Sequence, residues 1–195
     1  INDWKNDIIT NGAAPLGESG GTCPVGFYCV DSDQTLDTQK IEASLQVGNG
    51  VTLTLEGNIC VTGDLVFDNN GSVQIDPALG NTSVAIIVDG TVNVENNFTI
   101  TGTGDPHSFI LMVSTSNSLA PPAIYASNNS NSIVYVALHG LLRVKNNGFL
   151  NVGAAHSLEL EQNATVTYNP FVSAFAISSG GGYDITINAG SWEEL

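Results

Sequence analysis

The chain has 195 residues, 42% of them hydrophobic and only 12% charged, with 19 Asp and Glu against 4 Lys and Arg for a formal net charge of −15. That length can bury a sizeable core in one domain, and so small a charged fraction leaves Asn, Ser, Thr and Gly to cover the surface. With Lys5, Lys40, Arg143 and Lys145 as its only cations, the chain lacks the basic residues that give affinity for nucleic acid or for an anionic membrane surface, and neither partner is expected.

Residues 1–40 read as an N-terminal cap and a cysteine loop. "DWKNDIIT" predicts a short amphipathic helix whose apolar face is Trp4, Ile8 and Ile9, placed to cover the open edge of whatever follows. "CPVGFYC" then sets Cys23 and Cys29 around a short loop. That spacing is not a zinc-knuckle spacing and has no partner pair elsewhere, so a disulfide between Cys23 and Cys29 is expected, with Cys60 in "NICVTG" as a buried core thiol. A disulfide implies an extracytoplasmic location. "DSDQTLD" (31–37) has acids at relative positions 1, 3 and 7 but lacks the glycine and the later glutamate of a calcium loop, and reads as a loop with incidental acids.

From residue 41 to 195 a repeat takes over. "LQVGNG" (45–50), "LVFDNN" (65–70), "VNVENN" (92–97), "IYASNN" (124–129), "LRVKNN" (142–147) and "LELEQN" (158–163) share one pattern: apolar-x-apolar-x, then a pair containing Asn or Gln. Alternation resumes after most of them, and Gly63, Gly90 and Gly140 each stand six residues before the first Asn of a pair. The starts fall at 45, 65, 92, 124, 142 and 158, so the interval runs from 16 to 32 residues. Short period-2 strands recurring near ~20 residues predict a right-handed parallel β-helix, a β-solenoid of six to seven rungs. One coil cannot bury its apolar face alone, whereas stacked coils close the backbone hydrogen bonds and build a continuous core.

The pairs then have an architectural reason. Asn49, Asn69, Asn70, Asn96, Asn97, Asn128, Asn129, Asn146, Asn147 and Asn163 are assigned to corners, because Asn and Gly tolerate positive φ. Corner amides can also bond from rung to rung. Gly63, Gly90 and Gly140 are assigned to the preceding turns. The outward residue just before each corner forms a column: Gly48, Asp68, Glu95, Ser127, Lys145, Glu161. Arg143 and Lys145 point off one strand face into solvent, while Leu142 and Val144 point inward. "YDITINAGSWEEL" supplies a closing strand, with Trp192 over the last rung.

Little in the sequence marks catalysis. Glycoside hydrolysis needs two carboxylates facing one groove, and Asp64, Asp68, Asp76, Asp89, Glu95 and Asp105 are scattered singly, although Asp68 and Glu95 occupy equivalent slots before the Asn pairs. His107, His139 and His156 have no metal-pair spacing, and no Ser/His/Asp constellation assembles by rule. No catalytic residue, metal site or cofactor is assigned. "TLT" (52–54), "TIT" (99–101) and "TVT" (165–167) suggest the flat threonine arrays of ice-binding solenoids, but "SVQ" (72–74) and "FLN" (149–151) interrupt them. The sequons at Asn81, Asn97, Asn128 and Asn163 matter only in a eukaryotic secretory host. The longest apolar stretches, such as "FILMV" (109–113), fall far short of the ~20 residues of a membrane span. A start at Ile1 rather than Met is expected of a processed or trimmed product.

"IIVDGTVNVENN" (86–97), "SFILMVSTS" (108–116), "VYVALHGLLRVKNNGFLNV" (134–152), "LELEQNATVTY" (158–168) and the terminal "SWEE" resemble bacterial surface proteins with pilin-like or pilus-associated N-termini and a polymer-forming, bactofilin-like β-solenoid. The resemblance covers residues 36–195. It implies a solenoid displayed outside the cell through an N-terminal hydrophobic helix that the present sequence does not include, and it transfers no catalytic residues. The Cys23/Cys29 loop and "FVSAFAISSGGGYDI" depart from the pattern. The expected function is therefore a non-enzymatic extracellular structural or adhesive module at the bacterial cell surface, pilus-associated or self-assembling. Its expected partners are a second copy, a surface or pilus protein, or carbohydrate. The alternatives are a carbohydrate-active β-helix enzyme or carbohydrate-binding module, and an ice-binding solenoid.

Overall fold

In a computed structural model, the structure describes residues 1–127, 133–145 and 147–167. After helix α1 (Asn2–Asn11) the strands follow in coils of three: β1 (Ala13–Leu16), β2 (Phe27–Val30), β3 (Gln34–Leu36); β4 (Gln39–Ile41), β5 (Ser44–Val47), β6 (Thr52–Leu55); β7 (Ile59–Val61), β8 (Leu65–Phe67), β9 (Ser72–Ile75); β10 (Val84–Val88), β11 (Val92–Val94), β12 (Thr99–Thr101). Then come β13 (Ile110–Ser114), β14 (Ile124–Ala126), the long β15 (Ile133–Val144), β16 (Phe149–Leu150), β17 (Val152–Leu160) and β18 (Thr165–Val166).

Every strand pair is parallel and joins equivalent positions of successive coils. The first face runs β1-β4-β7-β10-β13, the second β2-β5-β8-β11-β14, and the third β3-β6-β9-β12. β15 crosses the corner between the first two faces: Ile133 to Ala137 pair with β13, and Leu142 to Val144 pair with β14. β17 repeats that path on top of β15, and β16 pairs with β18. The fold is a parallel β-solenoid, as the alternation and spacing predict.

Period-2 alternation explains the packing. On β5, β6 and β9 every second residue is buried, because successive side chains of a strand point to opposite faces. The inward set includes Leu45, Leu53, Leu65, Val73, Ile86, Val92, Ile110, Ile124 and Leu142, all within the main apolar cluster. Phe67 and Phe98 stack in it with ring centroids 4.4 Å apart. Each such side chain contributes about 1.5–3 kcal/mol by leaving water. Tyr135 is fully buried, and burial pushes its phenol well above the usual range.

The first face breaks the alternation, since all residues of β7, β10 and β13 are buried. Its outward residues Cys60, Ile87, Leu111 and Val113 form a second cluster with Trp4 and Ile8 of α1. The helix therefore lies along the side of the solenoid, against β4 and β7, rather than over its first coil. The reason is chemical: an apolar outer sheet face needs cover as much as an open end does. Trp4 and Ile8 are buried as expected, but Ile9, assigned to the same face, is 52% exposed. Lys5 pairs with Asp89 and pins the helix to the wall. Cys60 is a buried free thiol, sited between sheet and helix rather than in the solenoid interior, and burial pushes its thiol pKa up.

Parallel pairing begins well before residue 41. β1 pairs with β4, β2 with β5 and β3 with β6, so the segment read as a cap already carries strands of the stack. Cys23 and Cys29 form a disulfide with Cα atoms 5.8 Å apart, bracing the insertion between β1 and β2. Among the described residues no helix is long and apolar enough to cross a membrane.

Candidate functional site

Each coil has three corners, and they differ in kind. The corner after the second face spans three residues in the first coil, 31–33, and four at 48–51, 68–71, 95–98, 145–148 and 161–164. In the four-residue form its third residue sits at positive φ: Gly50 at 71°, Asn70 at 58°, Asn97 at 58°, Asn147 at 60° and Asn163 at 62°. Asn is the non-glycine residue that tolerates this region best. The preceding residues Asn69 and Asn96 accept at their carbonyls from Gly50 N (3.2 Å) and Asn70 N (3.3 Å) of the neighbouring coil, and Asn49 occupies the equivalent place. Side-chain amides also reach between coils, from Asn97 Nδ2 to Asn70 Oδ1 at 3.4 Å and from Asn163 Nδ2 to Asn147 Oδ1 at 3.5 Å. Asn128, Asn129, Asn146 and Trp192 lie outside the described residues.

The three turn glycines have another cause. A Cβ on Gly63 would stand 2.7 Å from Ser44 N, one on Gly90 2.7 Å from Gly63 O, and one on Gly140 2.8 Å from Ser116 O. Close approach of stacked backbone selects glycine there. Gly140 is not in a turn at all, since it lies inside β15.

Outward from the second face stands the column expected before the amide corners, and its side chains are tied to one another. Gln46 Nε2 donates to Asp68 Oδ2 at 2.7 Å. Asn93 Nδ2 donates to Glu95 Oε1 at 2.7 Å, and Lys145 Nζ reaches past the small Ser127 to Glu95 Oε2 at 3.2 Å. Lys145 Nζ also lies 4.1 Å from the centre of the Tyr125 ring, whose hydroxyl donates to Glu161 at 3.3 Å, and Arg143 pairs with Glu159 at 2.8 Å. Burial alone would raise the Glu95 carboxyl pKa, but the Asn93 hydrogen bond and the Lys145 charge together hold it below its usual value. The cations are thus folded against the sheet, with Lys145 only 15% exposed, rather than simply solvated. Asp68 and Glu95 share the column, yet each points its oxygens at a different partner.

The third face turns outward a sheet of small neutral groups: Thr35, Thr54, Gln74 and Thr101 in one column, Thr52, Ser72 and Thr99 in the next. Ser72 Oγ donates to Thr52 Oγ1 at 3.0 Å and Gln74 Nε2 to Thr54 Oγ1 at 3.2 Å. Two of the three acids of "DSDQTLD" are used by the backbone: Asp33 accepts from Thr52 N and Asp37 from Thr38 N.

The corner between the third and first faces is the one whose role the repeat did not reveal. Its connection is short after β3 and β6, residues 37–38 and 56–58, but runs to eight residues after β9 and β12, 76–83 and 102–109. The two insertions are laced together. Ser108 Oγ donates to Thr82 O at 2.6 Å, Thr103 Oγ1 to Gly80 O, and Ser83 Oγ to His107 O at 3.4 Å. Between them and the short turns below lies a cleft of 560 Å³. Thr38, Glu56, Asn58, Asn81, Ser83 and His107 bring polar groups to it, and Leu79 and Val84 add apolar wall. His107 Nδ1 lies 3.2 Å from Asp105 Oδ1, which also accepts from His107 N. His139 and His156 are exposed on β15 and β17 and take no part. The signal that could have found the cleft was the lengthened interval between copies.

Comparison with family models, with curated proteins and with solved structures finds no match for the chain.

Proposed function

We propose that the chain is a non-enzymatic, extracellular surface module: a stiff rod that serves adhesion, display or assembly at the bacterial cell surface. The observation that carries this reading is the coil-to-coil tying of the second face, in which Asp68, Glu95, Glu159 and Glu161 are each bonded to a side chain of another coil: Gln46, Lys145, Arg143 and Tyr125. Carboxylates held in such a ladder stiffen a scaffold, whereas glycoside hydrolysis needs two of them facing one substrate. The Cys23–Cys29 disulfide is of a kind that persists in oxidising compartments, which supports an exported protein. The sequence resemblance supports the pilus-associated form of the reading. Light scattering across a concentration series tests assembly, and binding of the purified chain to piliated and bald cells tests adhesion and display. Polysaccharide turnover abolished by Asp68→Asn would overturn the non-enzymatic reading.

A second reading is favoured by the third face. Its neutral hydroxyls, interrupted at Gln74, repeat at the strand spacing of ~4.8 Å and, along each strand, at twice the ~3.3 Å residue rise, an array that suits ordered water or ice. Thermal hysteresis lost in Thr54→Tyr would establish it; freezing behaviour equal to that of a control protein would dismiss it.

A further inference from the structure

We infer that the cleft at the third corner is a binding site for one or two residues of a neutral sugar, so that the rod carries its recognition site on its edge rather than on a face. This rests on the surface-module reading and gives it a ligand class. In a repeat architecture the uniform parts build the scaffold, while coil-specific insertions gather on one side and form the binding surface. Here two successive eight-residue insertions rise at the same corner and are tied to each other through Ser108, Thr103 and Ser83. The walls are thereby held in place before any ligand arrives, which lowers the ordering cost of binding.

The size and lining select the ligand. A volume of 560 Å³ lies within the range of small-molecule sites. No Lys or Arg lines the cleft, so a phosphate-type anion finds no counter-charge. Glu56 is the only carboxylate among the lining residues, too few for a calcium site of six to eight oxygens. No aromatic ring other than the His107 imidazole is present to stack a planar cofactor. What the cleft offers is a mixture of hydroxyls, amides, one carboxylate and an imidazole beside Leu79 and Val84. A sugar ring matches that mixture: its hydroxyls both donate and accept, and its C–H face meets the apolar wall. Asn58 Oδ1 accepts from Ala85 N at 2.8 Å, so Asn58 serves the frame, as His107 does through Asp105, and Glu56 and Asn81 are the selective contacts.

The test is titration of the full chain with D-glucose, D-galactose, D-mannose, N-acetyl-D-glucosamine and their disaccharides, followed by NMR or calorimetry. Inorganic phosphate and calcium chloride serve as separate arms. At least one neutral sugar is expected to bind at millimolar concentration or below. Glu56→Ala should weaken it about tenfold, and Asn81→Trp, on an exposed loop, should plug the cleft while the thermal midpoint stays unchanged. A third-face change, Thr54→Tyr, should leave binding intact. Binding by no sugar, binding that survives Asn81→Trp, or saturable binding of phosphate or calcium alone would each overturn the assignment. None of these results bears on assembly or cell attachment, which test the parent reading separately.

Discussion

The amide corner and the cleft corner belong to the same coils, yet they obey opposite rules. After a three-residue first pass at 31–33, the first is four residues long at 48–51, 68–71, 95–98, 145–148 and 161–164 and places Gly50, Asn70, Asn97, Asn147 and Asn163 in one backbone conformation. The second grows from two residues to eight and has no common residue pattern. Uniformity is what stacking demands, because each corner must nest on the one below with backbone bonds such as Asn70 N to Asn96 O. Variation is tolerated where the chain can leave the stack and return, since lengthening a surface loop costs little entropy. A stack therefore forms a cleft where one corner escapes the repeat.

The largest expected effect lies just inside the amide corner. Phe98 is buried and stacks on Phe67, so Phe98→Ala should cost about 3–5 kcal/mol, read by urea unfolding. Next come two changes that separate conformation from crowding. Asn97→Val puts a β-branched residue at φ 58° and should cost about 1–3 kcal/mol, whereas Asn97→Gly should cost less than ~1 kcal/mol. Equal losses in the two would mean that the amide bond to Asn70, not the positive φ, governs the corner. At the short turn of the cleft corner, Gly57→Ala would bring a Cβ within 2.6 Å of Thr38 N and should cost about 1–3 kcal/mol. A harmless Gly57→Ala would show that even this turn can yield.

A smaller effect tests the ladder that leads into the amide corners. Glu95 has its pKa lowered on folding, so its stabilisation is full above the unfolded value near ~4.3 and is lost as pH falls through the lower folded value. Glu95→Gln should cost up to about 1 kcal/mol at neutral pH, and the difference from wild type should vanish in acid. The smallest change is expected in the insertion itself. Leu79 is only partly buried, and Leu79→Ala should cost less than ~1 kcal/mol. A loss comparable to that of Phe98→Ala would erase the distinction between the two corners.

Much of this was legible without coordinates, for a specific reason. A solenoid is nearly one-dimensional, so its long-range contacts repeat its local pattern, and six aligned copies of one corner reveal them. The Cys23–Cys29 bond followed from spacing and from the lack of a second pair. Features outside the repeat were less legible. The segment "DWKNDIIT" was recognisable as a helix, but whether it lies on an end or a side depends on which sheet face is apolar outward. That requires knowing that Cys60, Ile87, Leu111 and Val113 share one surface.

The sequence by itself determined the class of fold, the alternation of inward and outward residues and the corners at Asn70, Asn97, Asn147 and Asn163, because period-2 alternation and positive-φ residues are local properties of the chain. Only the tertiary structure decided that Lys145 reaches across a coil to Glu95, that α1 clads the first face, and that residues 76–83 and 102–109 meet around a cleft. Those outcomes depend on how coils of unequal length stack, and residues 26 or 50 apart along the chain become neighbours only through that stacking.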